Sequence, residues 1–504
     1  MRKYILFFAL ALAGCTGISL AQSAIDSSLL YHPEKHFWYP NSMPYVYFNR
    51  SVSLQRNVVW ATAHHTAQFV PLGCVGPKKY TTQLKGIKHN TNTANVIKQA
   101  VKDGINIILV IGDGMGSVHM SLPIFMNIAK ENNQQTMFER IMNEGDCGYQ
   151  ITSLADGLVT GSAAAGTALA TGSKTRMGMV GVDSTGMVLE NTFEVAKQYG
   201  YKTAIVTDAS VTDATPAAHY GHAVYRYMQS GLAEQLVNNN NVDIAFGGGA
   251  SFFIPQNTDL KSYEAFKGSS AKGTSSRTDT VNLITQINNN GYKLISTKQA
   301  LEQENSSRVI GLFAGGGLPA PIDLKNAKAA QEPTLTEMAN RALHLVSKSS
   351  LHYVAMIESA RIDWEAHAND AGAVLQAVNE MDKVLQTAYS YYEDDPEGTL
   401  LIFTADHETG GLAIAYEKLD KKYEEKKVFP DGSTWVNNTD PLLFNEYEKL
   451  ENQDKSLSEI FKGAKNYKSL QKLIEQHTGY RISEAQSQQI MQSIIDLDVL
   501  KMKK

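Results

Sequence analysis

Residues 353–367 read Tyr-Val-Ala-Met-Ile-Glu-Ser-Ala-Arg-Ile-Asp-Trp-Glu-Ala-His. An apolar run closes on Glu358, and Asp363 and His367 follow, four positions apart, on a predicted helix or turn. Positions i and i+4 share one helix face, so this carboxylate and this imidazole converge on one point. Such a pair suits a first-row metal, with Zn2+ the first choice. On an ordinary surface helix the same spacing would be a solvated pair. Its place directly after a buried strand predicts a site at a strand end.

The same arrangement recurs along the chain. Apolar runs of strand length occur at Ile105–Ile111, Thr203–Val206, Val242–Phe246, Val309–Phe313, Tyr353–Ile357 and Leu400–Phe403. Helical patterns such as Leu335–Val346 and Ala373–Tyr389 lie between most of them. Strands without strict alternation, separated by helices, predict an α/β fold with a large, mostly parallel central sheet flanked by helices on both faces. Residues 22–95 are aromatic and polar without clear periodicity, and read as an N-terminal extension packed on a main domain of 96–415. Within that domain the polar stretch 251–306 reads as a surface insertion. Residues 416–504 are Lys/Glu-rich with helical patterns at Leu470–Gln476 and Ser483–Leu497, and predict a helical C-terminal segment.

Bulk properties narrow the function. The 504 residues carry 19% charged side chains and a formal net charge of −5, which gives no nucleic-acid footprint. A hydrophobic content of 43% supports a substantial core. Arg2 and Lys3 precede a short apolar stretch from Tyr4, the pattern of an export signal rather than a membrane span. Cleavage after Ser19-Leu20-Ala21 and lipidation at Cys15 in Leu12-Ala-Gly-Cys are both open. Either would place the mature protein outside the cytoplasm, periplasmic or associated with the outer membrane. Cys74 and Cys147 could form one disulfide or stand as two separate buried thiols.

Other predicted strands also end on acidic or hydroxyl residues. Asp113 closes Ile107–Gly112 in a Gly-rich turn, Asp213 and Thr215 follow the run that begins at Thr203, and Asp406-His407 follow Leu400–Phe403. One such Asp is usually a helix N-cap. Four strand ends together predict a single crevice, because ligands of open α/β sheets bind beyond the carboxyl ends of strands. The donors sort by chemistry. Asp363, His367, Asp406 and His407 suit Zn2+, the oxygen-only set Glu358, Asp213 and Thr215 suits Mg2+, and Asp113 could bridge both. Ser162 lies in the small-residue run Val159–Thr175, which reads either as a tightly packed helix or as a helix whose N-terminus holds an anion. A P-loop is excluded, since Ser173 separates Gly172 from Lys174.

Five motifs stand in order: IGDGMG (111–116), VTGSAAAGTALATGSKT (159–175), VTDATPAA (211–218), IESARIDWEAHAND (357–370) and TADHETGG (404–411). In these the chain resembles the alkaline phosphatase family over roughly residues 96–415. The resemblance implies hydrolysis of small-molecule phosphate monoesters through a phosphoserine at Ser162, releasing inorganic phosphate and an alcohol. It implies one zinc at Asp113, Asp406 and His407, a second at Asp363 and His367, Mg2+ among Asp213, Thr215 and Glu358, and a phosphate-clamping Arg226. It also allows a homodimer. A related phosphodiesterase or sulfatase is a further reading, but no sulfatase modification motif is visible.

Two departures from the family bear on activity. Gly161 replaces the Asp that usually precedes the nucleophile and helps hold the arginine, which predicts a more mobile Arg226 and weaker phosphate binding. The family's second zinc takes a third ligand from an H-T-G segment after D-H-E, followed by a strand. This chain has His477-Thr-Gly, but at a predicted helix end with Gly479 as C-cap and Ser483 opening a new helix. The reading is therefore of a chain that stops before that segment, with a two-residue zinc site and an incomplete sheet edge. The alternative function is a weakened or inactive relative that binds phosphate or metal.

Overall fold

The computed structural model describes residues 58–325, 331–415, 425–437 and 447–488, with a few positions outside these ranges. The predicted export signal, Cys15, most of residues 22–57 and the end of the 483–497 pattern lie outside the described residues.

The strands that matter here are β1 (Val58–Trp60), β2 (His65–Thr66), β3 (Val70–Val75), β4 (Gly86–His89), β5 (Asn106–Gly112), β6 (Asp146–Ile151) and β7 (Lys202–Ser210). They continue with β8 (Ile244–Gly248), β9 (Lys293–Ile295), β10 (Val309–Leu312), β11 (Tyr353–Ser359), β12 (Thr399–Thr404), β13 (Glu408–Thr409) and β14 (Leu412–Ile414). Ten of them form one sheet in the order β4-β6-β3-β12-β5-β11-β7-β8-β10-β9. From β12 to β9 every neighbouring pair is parallel, and β3 runs antiparallel to both β12 and β6.

The central strands are apolar on both faces because both faces are covered. In β11, Tyr353, Ala355 and Ile357 enter one core with the helices Leu335–Ser347 and Ala371–Asp394. Val354 and Met356 enter the other, with the helices Thr91–Lys102 and Ser162–Thr171. This is the predicted mostly parallel sheet with helices on both faces.

For its described part, 58–95, the reading of 22–95 as an extension is corrected. β3 is fully buried in the interior of the sheet, between β6 and β12. Its sequence, Val-Pro-Leu-Gly-Cys-Val, hides this, since Pro and Gly are poor strand residues. The glycine has a packing reason: a Cβ on Gly73 would lie 2.3 Å from the Phe403 ring on β12. Cys74 on β3 and Cys147 on neighbouring β6 are both free thiols, and burial pushes the Cys74 thiol up to about 12.

Two further boundaries shift. The 251–306 stretch buries Phe253, Leu260, Phe266 and Leu283 and adds β9 at the sheet edge, so it is more than a surface insertion. The C-terminal segment is helical at Leu457–Gly463 and Tyr467–Thr478, but small two-stranded ribbons come first, Glu425–Val428 with Thr434–Asn437 among them.

Candidate active site

Strands β12, β5, β11 and β7 are consecutive neighbours, so their carboxyl ends lie side by side. Glu358 is in register with Ile111 and Thr207, and Thr404 is opposite Ile111. Past these ends the chain presents Asp113, Asp406 and His407, all buried. Gly114 makes the turn after β5 at φ +72°, and a Cβ there would strike Asp363 at 2.8 Å. The Gly-rich turn thus lets the β5 tip approach the helix Arg361–His367. One donor atom each from Asp113, Asp363 and His407 lies within 4.8 Å of the others.

The anionic groups are crowded. Burial and the carboxylates of Asp406 and Asp363 raise the Asp113 carboxyl well above its ordinary range. Burial pushes Glu358 up to about 8 and Asp406 to about 7. Adjacent buried carboxylates that resist ionisation mark a place suited to positive charge. Asp113 Oδ1, Asp406 Oδ2 and Thr215 Oγ1 are buried with no hydrogen-bond partner. Such atoms cost stability unless something fills their lone pairs, and a bound cation does so.

Ser162 is the first residue of the helix Ser162–Thr171, whose N-cap Gly161 supplies no side-chain cap. The first-turn N–H groups of this helix meet no capping side chain, the arrangement that favours an anion. Ser162 Oγ sits 3.2 Å from His407 Nε2. His407 Nδ1–H donates to Thr409 Oγ1 at 3.3 Å, and Thr409 Oγ1–H donates to Asp363 Oδ1 at 2.5 Å. This relay turns Nε2 toward the serine. Burial holds His407 well below the ordinary imidazole range, so it stays neutral.

The structure brings an unpredicted residue to Asp363 and His367. His65 Nε2 lies 3.1 Å from His367 Nε2 and 3.7 Å from Asp363 Oδ1, and its ring stacks on His407 with centroids 3.7 Å apart. His65 Nδ1–H donates to the Thr160 carbonyl at 2.7 Å, and His367 Nδ1–H donates to the Ala63 carbonyl at 2.6 Å. Both Nε2 atoms therefore turn inward, toward each other and Asp363. Two lone pairs so close repel unless positive charge stands between them. Two nitrogens on one tetrahedral ion at ~2.0–2.1 Å would stand roughly 3.3 Å apart. Imidazole, imidazole and carboxylate form a zinc donor set, while Glu358, Asp213 and Thr215 offer only oxygen.

His477 does not join this cluster of donors. It lies at the end of the helix Tyr467–Thr478, with Nδ1 2.6 Å from Asp454 Oδ1, and Gly479 makes the predicted C-cap at φ +72°. Against the expectation of a site with two residues, His65 joins Asp363 and His367 in one group of donors. Arg226, expected to be more mobile for want of an Asp at position 161, has another carboxylate within reach. Its Nη2–H donates to Asp213 Oδ1 at 2.7 Å, so a carboxylate holds it without help from position 161. A Cβ on Gly161 would meet Met177 Sδ at 2.9 Å and His65 Cε1 at 3.5 Å.

The alkaline phosphatase family model matches residues 105–488, well over half of the chain. The chain belongs to the alkaline phosphatase family. It is 32% identical over 334 residues to alkaline phosphatase 4 of Bacillus subtilis, covering 64% of this chain and 66% of that protein. It is 28% identical over 388 residues to the Escherichia coli alkaline phosphatase, covering 66% and 76%. Among solved structures, the cold-active alkaline phosphatase from a Shewanella species superposes with a TM-score of 0.58 at 26% identity, over 79% of this chain and 87% of that one. The Thermus thermophilus enzyme superposes at 0.62 with 23% identity, over 78% and 77%, which supports the fold alone. The chain spans just under two thirds of the Bacillus relatives it matches.

His65 carried a legible signal. His65-Thr66-Ala67 precedes the fully buried strand Val70–Val75, the order expected of a family ligand segment.

Proposed function

We propose that this protein hydrolyses phosphate monoesters through a covalent phosphoserine at Ser162, with zinc at two sites and magnesium at a third. The observation that carries the reading is the placement of Ser162, at an uncapped helix N-terminus and beside donor clusters that need positive charge. His65, Asp363 and His367 would hold one zinc, and Asp113, Asp406 and His407 the other. Asp213, Thr215 and Glu358, with Asp113, would surround magnesium. Bound there, the metals supply Lewis acidity and lower the pKa of hydroxyl and water.

The chain's own groups do the rest. Ser162 Oγ attacks phosphorus, the alcohol departs, and water then cleaves the phosphoserine to free phosphate and restore the serine. The planar guanidinium of Arg226 takes two non-bridging oxygens, and its bond to Asp213 fixes the plane in advance. The first-turn N–H groups of the Ser162–Thr171 helix face the third oxygen. The Thr409 relay keeps His407 in the tautomer that points Nε2 at the nucleophile. None of these groups reads the alcohol, so a broad range of monoesters fits. With the predicted export signal this activity would lie outside the cytoplasm; no helix among the described residues is long and apolar enough to cross a membrane.

The alternative, a weakened or inactive relative, rested on an absent third ligand and on Gly161. His65 and the Asp213–Arg226 pair weaken both grounds. The test is p-nitrophenyl phosphate turnover with added Zn2+ and Mg2+, wild type against Ser162→Ala. Equal rates would sink the phosphatase reading.

A further inference from the structure

β1 lies antiparallel to β14, with Val58 opposite Ile414 and Trp60 opposite Leu412. The end of β14 and the start of β1 are therefore hairpin neighbours, which a loop of about two to five residues could join. In sequence they stand at opposite ends of the catalytic body. From β1 the chain passes through His65, enters the sheet as β3 against β12, and continues through β4 into the helix Thr91–Lys102. Residues 103–105, with Gly104 at φ +82°, then turn directly into β5. The whole stretch 58–102 thus occupies the place that a continuation of β14 would fill.

The content of that stretch matches its place. The family resemblance calls for an H-T-G ligand segment after D-H-E, followed by a strand. Here His65-Thr66-Ala67 precedes β3, and β3 pairs with β12, the strand that leads into Asp406-His407-Glu408. β2, which contains His65, also pairs with β13, formed by Glu408 and Thr409 of that motif. The family model begins at residue 105, three positions past Lys102.

We propose that this chain is a circular permutation of the alkaline phosphatase order. Residues 58–102 are the family's closing segment carried at the front, the seam is the turn 103–105, and the third donor of the second zinc site comes from upstream of the nucleophile. The proposal rests on the metal-site reading above for the role of His65. A match that follows chain order loses a moved segment, consistent with coverage of 66% of the first Bacillus relative.

The test is a reordered protein that begins at Asp103, runs to Lys504, and joins through a Gly/Ser linker to Gln22, ending at Lys102; the parent for comparison begins at Gln22. It is compared with the parent, each with and without His65→Ala, by zinc analysis, thermal unfolding and p-nitrophenyl phosphate turnover. The expected result is cooperative unfolding and equal zinc content in both orders, with His65→Ala removing one zinc equivalent from each. A reordered chain that does not unfold cooperatively, or that lacks a zinc equivalent the parent holds, overturns the proposal. A second measurement needs no refolding: superposition on the Shewanella enzyme without regard to chain order. His65 and β3 should fall on a segment after its D-H-E motif; a segment preceding its nucleophile there would overturn the permutation. A parent without turnover would instead sink the phosphatase reading, leaving zinc content and superposition to decide the chain order.

Discussion

Residues 58–102 and 447–488 flank the catalytic body, and each contains a His-Thr pair: His65-Thr66 and His477-Thr478. The first segment is woven into the central sheet, where β3 is buried between β6 and β12. The second forms its own apolar cluster of Leu457, Ile460, Phe461, Leu470 and Ile474. It docks on the body partly through polar contacts, with Gln453 Nε2 and the Leu457 N–H donating to Asp370 at 2.8 and 2.7 Å. His477, with the family's tripeptide signature, pairs with a half-exposed Asp454; His65, without the glycine, faces Asp363 and His367. What makes an imidazole a ligand candidate is the strand it precedes, more than the tripeptide around it. A strand fixed in the sheet positions the loop before it, whereas a helix end on a satellite cluster does not.

The sharpest way to break this contrast is to remove each imidazole in turn. His65→Ala should lose one zinc equivalent and lower kcat/KM by a few hundred-fold. That scale follows from the roughly 10–16 kcal/mol with which four donors hold a structural zinc, ~2.5–4 kcal/mol for each. His477→Ala should leave zinc content and turnover unchanged, since it removes one pair with an exposed partner, worth ~0–1 kcal/mol. Zinc analysis of the two proteins decides it, and a zinc deficit in His477→Ala would reverse the assignment.

The next effect lies where the first segment meets the D-H-E motif. Thr409→Val keeps the side-chain volume but cuts the relay from His407 Nδ1 to Asp363 Oδ1. Outer partners of metal ligands typically contribute 10–100-fold, so zinc affinity should fall by about that factor. Thr409→Ser, which restores the hydroxyl, should recover most of it. A Val variant with unchanged zinc affinity would show that the relay only packs.

A smaller effect is expected at Gly161. Its backbone, at φ −134° and ψ 167°, accepts any residue, and half-exposed Met177 can move aside. Since Asp213 already holds Arg226, Gly161→Asp should change inhibition by inorganic phosphate by less than about threefold, below the 1.5–3 kcal/mol of a new hydrogen bond to a charged group. A tenfold tightening would mean that Asp213 alone leaves the arginine loose.

These contrasts also explain what sequence could reveal. The strands β5, β7, β11 and β12 were legible because each is an apolar run ending in a carboxylate or hydroxyl, and covered strands need such runs. Asp113, Glu358, Asp363, His367, Asp406 and His407 stand out in the sequence for the same reason. β3 does not, because Pro71 and Gly73 break its apolar signature while Gly73 admits the Phe403 ring. His65 went with it: its local signal depends on reading β3 as a strand, and its partner His367 is 302 positions away. The role of Asp213 as the anchor of Arg226 was also hidden, because Asp-x-Thr spacing suggests a metal site and says nothing of an arginine that packs back on it.

A third imidazole–carboxylate pair, outside both segments, calibrates the comparison by pH. His222 Nε2–H donates to Glu194 Oε1 at 3.0 Å and Nδ1–H to the Gly181 carbonyl at 2.7 Å, tying the loop that leads to Arg226 onto the helix Thr192–Gln198. Burial alone would lower the His222 imidazolium, but the bonds to Glu194 and Gly181 outweigh it and raise it above the ordinary value. A raised histidine contributes stability that is fully present below its unfolded value of about 6.5 and is lost as pH rises through the folded value. Glu194 is held below its ordinary range, despite burial, by His222 and the Asn191 N–H, so its contribution is lost only in acid. Wild type should therefore melt above His222→Ala at pH 6, by less than about 1 kcal/mol for so partly exposed a pair, and the gap should close by pH 9. His65→Ala should show no such closing gap in the zinc-loaded protein, because its imidazole would answer to metal rather than to protons. A gap at His222 that widens with pH would mean the loop is held by the neutral ring.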